Sequence, residues 1–154
     1  MTRPLPDASA TRRLGEELAL AARPGLIVLL NGPLGAGKTT LVQGFAAAIG
    51  AVQPAASPSF VLAHNYSGGR LPVWHLDLYR MENESEIDDL DLDIYLPRDG
   101  VALVEWALRL HGRWPLDSLE IGLELATVGR LATLICLDAG RGSAIETFKA
   151  LRSE

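Results

Sequence analysis

The central motif lies within residues 26–50, which read LIVLLNGPLGAGKTTLVQGFAAAIG. The five apolar residues at its start predict a buried strand, and the region from Leu41 to Ile49 predicts a helix. Between them, residues 32–39 match the spacing of a P-loop, in which glycines let the chain turn tightly with its N–H groups directed inward. Strand, loop and helix in this order predict a site for a chain of phosphates.

Two side chains after the glycines have the chemistry that such a site needs. Lys38 places an ammonium group against the β- and γ-phosphates, and the hydroxyl of Thr39 suits a magnesium ion. The helix that follows adds the positive end of its dipole. Lys38 and Lys149 are the only lysines among fourteen basic residues, which argues against a chance placement. The expected ligands are ATP and Mg²⁺; the alternative is a glycine-rich turn with a solvated lysine.

Composition bounds the class of protein. The 154 residues fit a single domain, 1–154, and an apolar content of 48% is enough for a buried core. No apolar stretch approaches the roughly 18 residues of a membrane span. The single cysteine excludes an internal disulfide framework. We therefore expect a cytoplasmic protein without membrane contact.

The acidic charge is concentrated between Glu82 and Asp99, a segment with eight acidic residues and one arginine in a chain of net charge −5. Phosphate backbones favour basic surfaces, so this segment is a poor direct contact for nucleic acid. It predicts a solvated acidic helix or, alternatively, a docking face for a basic partner. Within it, the spacing of Ile87, Leu90 and Ile94 indicates one apolar face of a helix that begins near Glu84.

Helix and strand patterns alternate along the rest of the chain. Helices are predicted for residues 7–22 and 143–151, the second with a capping box of Ser143 and Glu146. Strands are predicted for residues 26–30, 60–66, 71–78, 101–104, 119–125 and 131–137, with turns at 67–70 and 128–130. Together they predict an α/β fold: a three-layer P-loop NTPase-like sheet, mainly parallel with antiparallel hairpin additions.

Hydrolysis of a bound nucleotide needs a carboxylate that orients magnesium and water, and two acids qualify by position. Glu105 ends the apolar run 101–104, where a Walker B carboxylate belongs; the alternative is a surface acid at a strand end. Asp77 interrupts an apolar strand end, so it is either functional or paired with Arg80. His75 has no second ligand at metal spacing and is interpreted as a packed or hydrogen-bonded histidine.

Further candidates lie around these acids. Ser57 and Ser59 flank a proline and are equally suited to a switch that senses the γ-phosphate or to an ordinary turn. Trp106 follows Glu105 directly. The chain has no Asn-Lys-x-Asp motif of a GTPase. A small-molecule kinase, with Arg109 and Arg113 on a lid, stays open as an alternative, as does a nucleotide-gated binding module without significant hydrolysis.

Several motifs together resemble the TsaE (YjeE) family, the small P-loop ATPase of the bacterial pathway that makes threonylcarbamoyladenosine in tRNA. The motifs span nearly the whole chain: residues 5–7 with Thr11, 34–40, 57–60, 75–80 (HLDLYR) and 104–106 (VEW). The combination is far more specific than the P-loop alone. Departures are Pro33 where the family usually has an acid, Ser59 where it usually has threonine, and Ala107 where proline usually follows.

The resemblance implies a set of site residues. Catalytic roles fall to Lys38, Asp77 and Glu105, and magnesium would be held by Thr39 and Glu105. Phosphate contacts would come from Gly35, Ala36, Gly37, Lys38, Thr39 and Thr40, and the base or sugar would be flanked by Ala8, Thr11, Gly129 and Arg130. A switch would comprise the loop of Ser57 and Ser59, with Trp106 near the nucleotide.

The resemblance also implies partners. The ATPase would dock on a carbamoyltransferase subunit and its inactive paralogue, a TsaD–TsaB type complex, and ATP hydrolysis would reset that complex between rounds of modification. The isolated ATPase would be weak. Because of the acidic segment, we expect its contact with tRNA to be indirect.

Overall fold

A computed structural model describes residues 1–53, 63–96, 98–115, 117–137 and 142–153. The strands are β1 Thr2–Leu5, β2 Ile27–Asn31, β3 Ala63–Tyr66, β4 Val73–Asp77, β5 Val101–Glu105, β6 Ser118–Leu125 and β7 Arg130–Leu137. The α-helices are α1 Ala8–Ala21, α2 Lys38–Ile49, α3 Glu84–Asp88 and α4 Ser143–Arg152, with 3₁₀ turns at Leu92–Tyr95 and Ala107–Leu110. None of the helices within these ranges is long and apolar enough to cross a membrane.

The strands form one sheet in the order β1-β7-β6-β2-β5-β4-β3. Its centre is parallel, since β2 pairs with both β5 and β6, and β5 pairs with β4 in the same direction. Hairpins add β3 at one edge and β7 on the other side of the sheet, both antiparallel to their partners. Strand β1 pairs antiparallel with β7 and forms the edge there. The predicted α/β class, with a parallel centre and antiparallel additions, is confirmed. The edge strand β1 was not predicted, because its four residues contain Pro4 and Arg3 and lack an apolar alternation.

Both faces of the sheet are covered, which explains the continuous apolar runs of β2 and β5. Alternate residues of β2 point to opposite sides: Val28 and Leu30 pack in the core under α1, α2 and α4, whereas Ile27 and Leu29 pack in a second core. The second core includes Ile87 of α3 and Leu110 of a 3₁₀ turn. Each residue at the end of a central strand therefore faces a defined side of the sheet, and this positions the side chains of the candidate site.

Helices α1 and α2 approach each other closely through two glycines. A Cβ added at Gly15 would overlap the carbonyl oxygen of Leu41, and one added at Gly44 would overlap that of Arg12. The glycines thus permit backbone contact between the helix that starts beside the P-loop and the helix that follows it. This contact holds the start of α1 against the P-loop.

We expect Gly15→Ala to destabilise the fold by about 1–3 kcal/mol, because the methyl group must displace the backbone of α2. Because the overlapping atoms belong to the backbone of α2, we expect the cost to lie in the upper part of this range, above the roughly 1 kcal/mol that alanine gains over glycine in a helix. Chemical denaturation measures the change. Gly122→Ala is the control, since its added Cβ would lie 4.0 Å from the nearest atom, the carbonyl oxygen of Thr133. Equal stability of the two variants would contradict the close contact.

The helix predicted from Glu84 through Ile94 is wrong in its length. Helix α3 ends at Asp88, and Ile94 is 60% exposed in a separate 3₁₀ turn. The start is well stabilised, because Glu86 accepts hydrogen bonds from the N–H groups of Asn83 and Glu82, which lower the pKa of Glu86. Three aspartates follow, and their charges oppose the negative end of the helix dipole.

The predicted capping box of α4 is also wrong. The cap position is Gly142, and Ser143 is the first helical residue. The carboxylate of Asp117 accepts hydrogen bonds from the N–H groups of Ser143 (3.2 Å) and Ala144 (3.1 Å), and Glu146 lies 3.5 Å from Lys149. A carboxylate brought in by the chain just before β6 therefore replaces the local cap.

Candidate functional site

A cavity of about 290 Å³ lies where the carboxyl ends of β2, β4 and β5 meet the start of α2. This is the edge at which open α/β sheets bind ligands. Its walls are formed by Ala8, Thr11, Leu34, Gly35, Gly37, Lys38, Thr39, Thr40, Asp77, Tyr79, Arg80, Glu105, Trp106 and Arg130. The cavity thus collects residues from both ends of the chain and from its middle.

The loop between β2 and α2 has the backbone that its glycines predict. Gly32 and Gly37 have φ values of 144° and 107°, a region that disfavours other residues. A Cβ at Gly37 would lie 3.1 Å from the Cγ2 methyl of Thr11, and one at Gly32 would overlap the carbonyl oxygen of Leu123. Both glycines therefore allow neighbouring elements to press against the loop.

Lys38 is buried, with only 4% of its surface exposed, and folds back over its own loop. Its Nζ donates hydrogen bonds to the carbonyl oxygens of Gly32 (2.7 Å) and Pro33 (3.0 Å) and lies 4.1 Å from the centre of the Trp106 ring. Burial lowers the pKa of the Lys38 ammonium, and the charges of Glu105 and Asp77 act in the opposite direction. Further negative charge in the cavity would favour the charged lysine in the same way.

Two carboxylates stand side by side at the strand ends. Asp77 and Glu105 are paired positions of the parallel strands β4 and β5. Oε1 of Glu105 lies 3.0 Å from Oγ1 of Thr39, which donates to it, and 2.9 Å from Nε2 of His75. Asp77 accepts a hydrogen bond from the N–H of Tyr79 at 2.9 Å. The register brings together acids that are 28 positions apart in the chain.

Trp106 is held in an unusual backbone conformation beside these acids. Its φ of 58° lies in the left-handed region, where bulky residues are rare. The Trp106 ring, which covers the ammonium group of Lys38, also packs on the ring of Tyr79, with the two ring centroids 5.0 Å apart. Such strain persists where the surroundings fix it, and it is frequent at functional sites.

The residues that the resemblance assigns to the base or sugar divide into two groups. Ala8, Thr11 and Arg130 line the cavity, and Arg130 donates to the carbonyl oxygens of Ala36 (3.1 Å) and Gly35 (3.2 Å). Gly129 does not line it: its φ is 70°, and its Cα packs against the backbone of residues 5 and 6. Ala36, which the resemblance assigns to the phosphates, is fully buried, and its carbonyl oxygen accepts the hydrogen bond from Arg130.

Other predicted residues lie elsewhere. Ser57 and Ser59 fall outside the described residues. Arg109 donates to the carbonyl oxygen of Met81, and Arg113 pairs with Asp88 at 2.9 Å, so neither lines this cavity. Sequence reasoning did not propose Leu34, Tyr79 or Arg80 as site residues, although the last two belong to the quoted HLDLYR motif.

The protein's own oxygen atoms at this site could hold magnesium only if a bound ligand supplied further oxygen atoms. Within the described ranges, no three His, Cys, Asp or Glu residues cluster closely enough to hold a metal. Thr39 and Glu105 offer a hydroxyl and a carboxylate in contact with each other. Magnesium in proteins is commonly held by one or two such groups, with phosphate oxygens and water as the remaining ligands.

The sheet topology and the glycine-rich turn between β2 and α2 define the class: an α/β protein of the P-loop NTPase-like type. The comparisons with known proteins identify the family. Residues 5–131 match the family model described as threonylcarbamoyl adenosine biosynthesis protein TsaE. The chain therefore belongs to the TsaE family.

Individual relatives agree. The tRNA threonylcarbamoyladenosine biosynthesis protein TsaE of Bacillus subtilis is 43% identical over 116 residues, covering 75% of this chain and 72% of its own. The protein of the same name from Nostoc is 42% identical over 112 residues, covering 69% and 67%. The crystal structure of Bacillus subtilis YdiB matches with a TM-score of 0.80 at 30% identity, covering 99% of this chain and 95% of that one.

Proposed function

We propose that the protein binds ATP with magnesium, hydrolyses it, and thereby serves the biosynthesis of threonylcarbamoyladenosine in tRNA. The biosynthetic role is taken from the family and from the names of its members. The observation that carries the ATPase assignment is the contact between Thr39 and Glu105 beside Lys38, at the start of α2. A phosphate ligand, a cation and a water would each find partners there.

Phosphates would be bound by the start of α2 and by Lys38. The first N–H groups of a helix have no partners within the helix, and the helix dipole favours negative charge at this end. Lys38 now donates to two backbone carbonyls of its own loop. Phosphate oxygens are stronger acceptors than these carbonyls, because they carry negative charge that also attracts the ammonium group.

Magnesium would be held by the hydroxyl of Thr39 and the carboxylate of Glu105, and it would supply neutralisation of the charge on the terminal phosphates. Asp77 stands next to Glu105 across the strand pair. In this proposal the two carboxylates orient the attacking water and its hydrogen-bond partners. Trp106 and Tyr79 would cover the cavity and limit the access of other water.

We extend the proposal to a cycle in which ATP hydrolysis resets a carbamoyltransferase complex between rounds of tRNA modification. The support is the family membership and the biosynthetic step that the relatives are named for. A TsaD–TsaB type complex would be the partner, and tRNA would be contacted through that complex.

The test is phosphate release from ATP by the pure protein, with and without magnesium, the purified partner complex and tRNA. We expect slow, magnesium-dependent release that rises when the complex is added. Tight binding of ATP without any release in the presence of the complex would instead identify a nucleotide-gated binding module. Transfer of the phosphate to a small acceptor would identify a kinase.

A further inference from the structure

Behind Glu105 lie two buried polar side chains that the proposed function leaves without a role. His75 on β4 is fully buried and Tyr66 on β3 is 2% exposed. The Tyr66 hydroxyl lies 3.1 Å from Nδ1 of His75, and Nε2 of His75 lies 2.9 Å from Oε1 of Glu105. Hydrogen bonds therefore run across three neighbouring strands, from β3 through β4 to β5.

The partners on each side define the tautomer of His75. A carboxylate oxygen accepts hydrogen bonds, so Nε2 carries the proton and donates to Glu105. In the neutral ring Nδ1 is then an acceptor, and the Tyr66 hydroxyl donates to it. A buried polar group is costly unless it is hydrogen-bonded, so each of the three side chains needs its neighbour as a hydrogen-bond partner.

The chain of hydrogen bonds constrains Glu105 at one atom. Oε1 accepts from Thr39 on the cavity side and from His75 on the core side. Glu105 is 3% exposed, so little water is available to replace either donor. With two donors on the same oxygen, rotation of the carboxylate would break one of them.

We propose that His75 and Tyr66 are positioning residues, which hold the Glu105 carboxylate in the orientation that meets Thr39. The inference rests on the proposed function, in which Glu105 binds magnesium and orients water. Outer partners of metal ligands commonly act in this way, and their loss costs about 10- to 100-fold in activity or metal affinity. His75 acts through Glu105 and Tyr66 acts through His75.

The experiment compares His75→Leu, which removes the donor, with His75→Gln, which retains an N–H donor of similar reach. We expect His75→Leu to lower kcat for ATP hydrolysis with the partner complex by about 10- to 100-fold. The KM for ATP should change much less than kcat, and His75→Gln should recover part of kcat. Tyr66→Phe should give a smaller loss, and Tyr95→Phe, on the opposite face of the sheet, should give none.

A double substitution separates positioning from a general effect on the fold. In the Glu105→Gln background, His75→Leu should cause little further loss of kcat, because the carboxylate that it orients is already gone. A kcat for His75→Leu equal to that of the wild type would overturn the inference. So would a loss in the Glu105→Gln background as large as in the wild type.

Two measurements do not depend on hydrolysis. In the ligand-free protein, ¹⁵N NMR should find His75 as the Nε2–H tautomer, and the Nδ1–H tautomer would overturn the inference. Magnesium should strengthen the binding of a non-hydrolysable ATP analogue less in His75→Leu than in the wild type, and an equal effect would overturn it. If the wild type releases no phosphate, the ATPase proposal fails, while these two measurements still decide the role of His75.

Discussion

Replacing Lys38 by alanine is expected to abolish ATP binding at concentrations that saturate the wild type. Lys38 is a buried cationic residue at the start of α2, with 4% of the residue's surface exposed. Each hydrogen bond to a charged group is worth about 1.5–3 kcal/mol, and every 1.4 kcal/mol is about tenfold in affinity. The loss of two such bonds to phosphate oxygens would weaken binding by at least about a hundredfold. Isothermal titration calorimetry with Mg·ATP measures the change.

The chain supplies a matched control for this variant. Lys149 is its only other lysine; it lies exposed on α4 and pairs with Glu146 at 3.5 Å. Lys149→Ala should bind ATP as the wild type does. Thermal unfolding of Lys38→Ala should show an intact fold, because burial already disfavours the charged lysine in the ligand-free protein. Undiminished affinity of Lys38→Ala would rule out the phosphate role of this residue.

Local sequence patterns were sufficient for the elements that border the site. The apolar runs of β2 and β5 indicate strands buried on both faces, and both are buried throughout. The glycines of residues 32–37 indicate a tight turn, and the turn has the positive φ angles that they permit. These features depend on a residue's own conformational limits and on its immediate neighbours, which the sequence displays directly.

Features that depend on distant contacts could not be predicted. The cap of α4 comes from Asp117, 26 positions before Ser143, and the strand β1 exists through its pairing with β7. The motif HLDLYR indicated a role for Asp77, but the register that places Asp77 opposite Glu105 requires the folded sheet. The sequence predicts a packed or hydrogen-bonded His75, and only the structure identifies its partners as Tyr66 and Glu105.

Replacing Glu105 by glutamine is expected to weaken ATP binding only by the small part that the magnesium–carboxylate contact contributes, and to reduce turnover by on the order of a hundredfold or more. In the proposed complex the phosphates would be bound mainly by Lys38 and the start of α2, so the loss of one carboxylate charge would leave these contacts in place. The amide oxygen of glutamine can still accept a hydrogen bond from His75, which preserves the buried network. Phosphate release and calorimetry on the same preparation separate the two effects.

Alanine at the same position should behave differently in one respect. Glu105→Ala should also remove turnover and largely spare binding, but it leaves the buried Nε2–H of His75, and the Thr39 hydroxyl at the cavity wall, without their acceptor. An unsatisfied buried donor costs about 1–3 kcal/mol, so this variant should unfold at lower denaturant than Glu105→Gln. Glu124→Gln, at an exposed position of β6, is the matched control and should keep full activity. Persistent turnover by Glu105→Gln and Glu105→Ala would move the catalytic carboxylate elsewhere, with Asp77 as the next candidate.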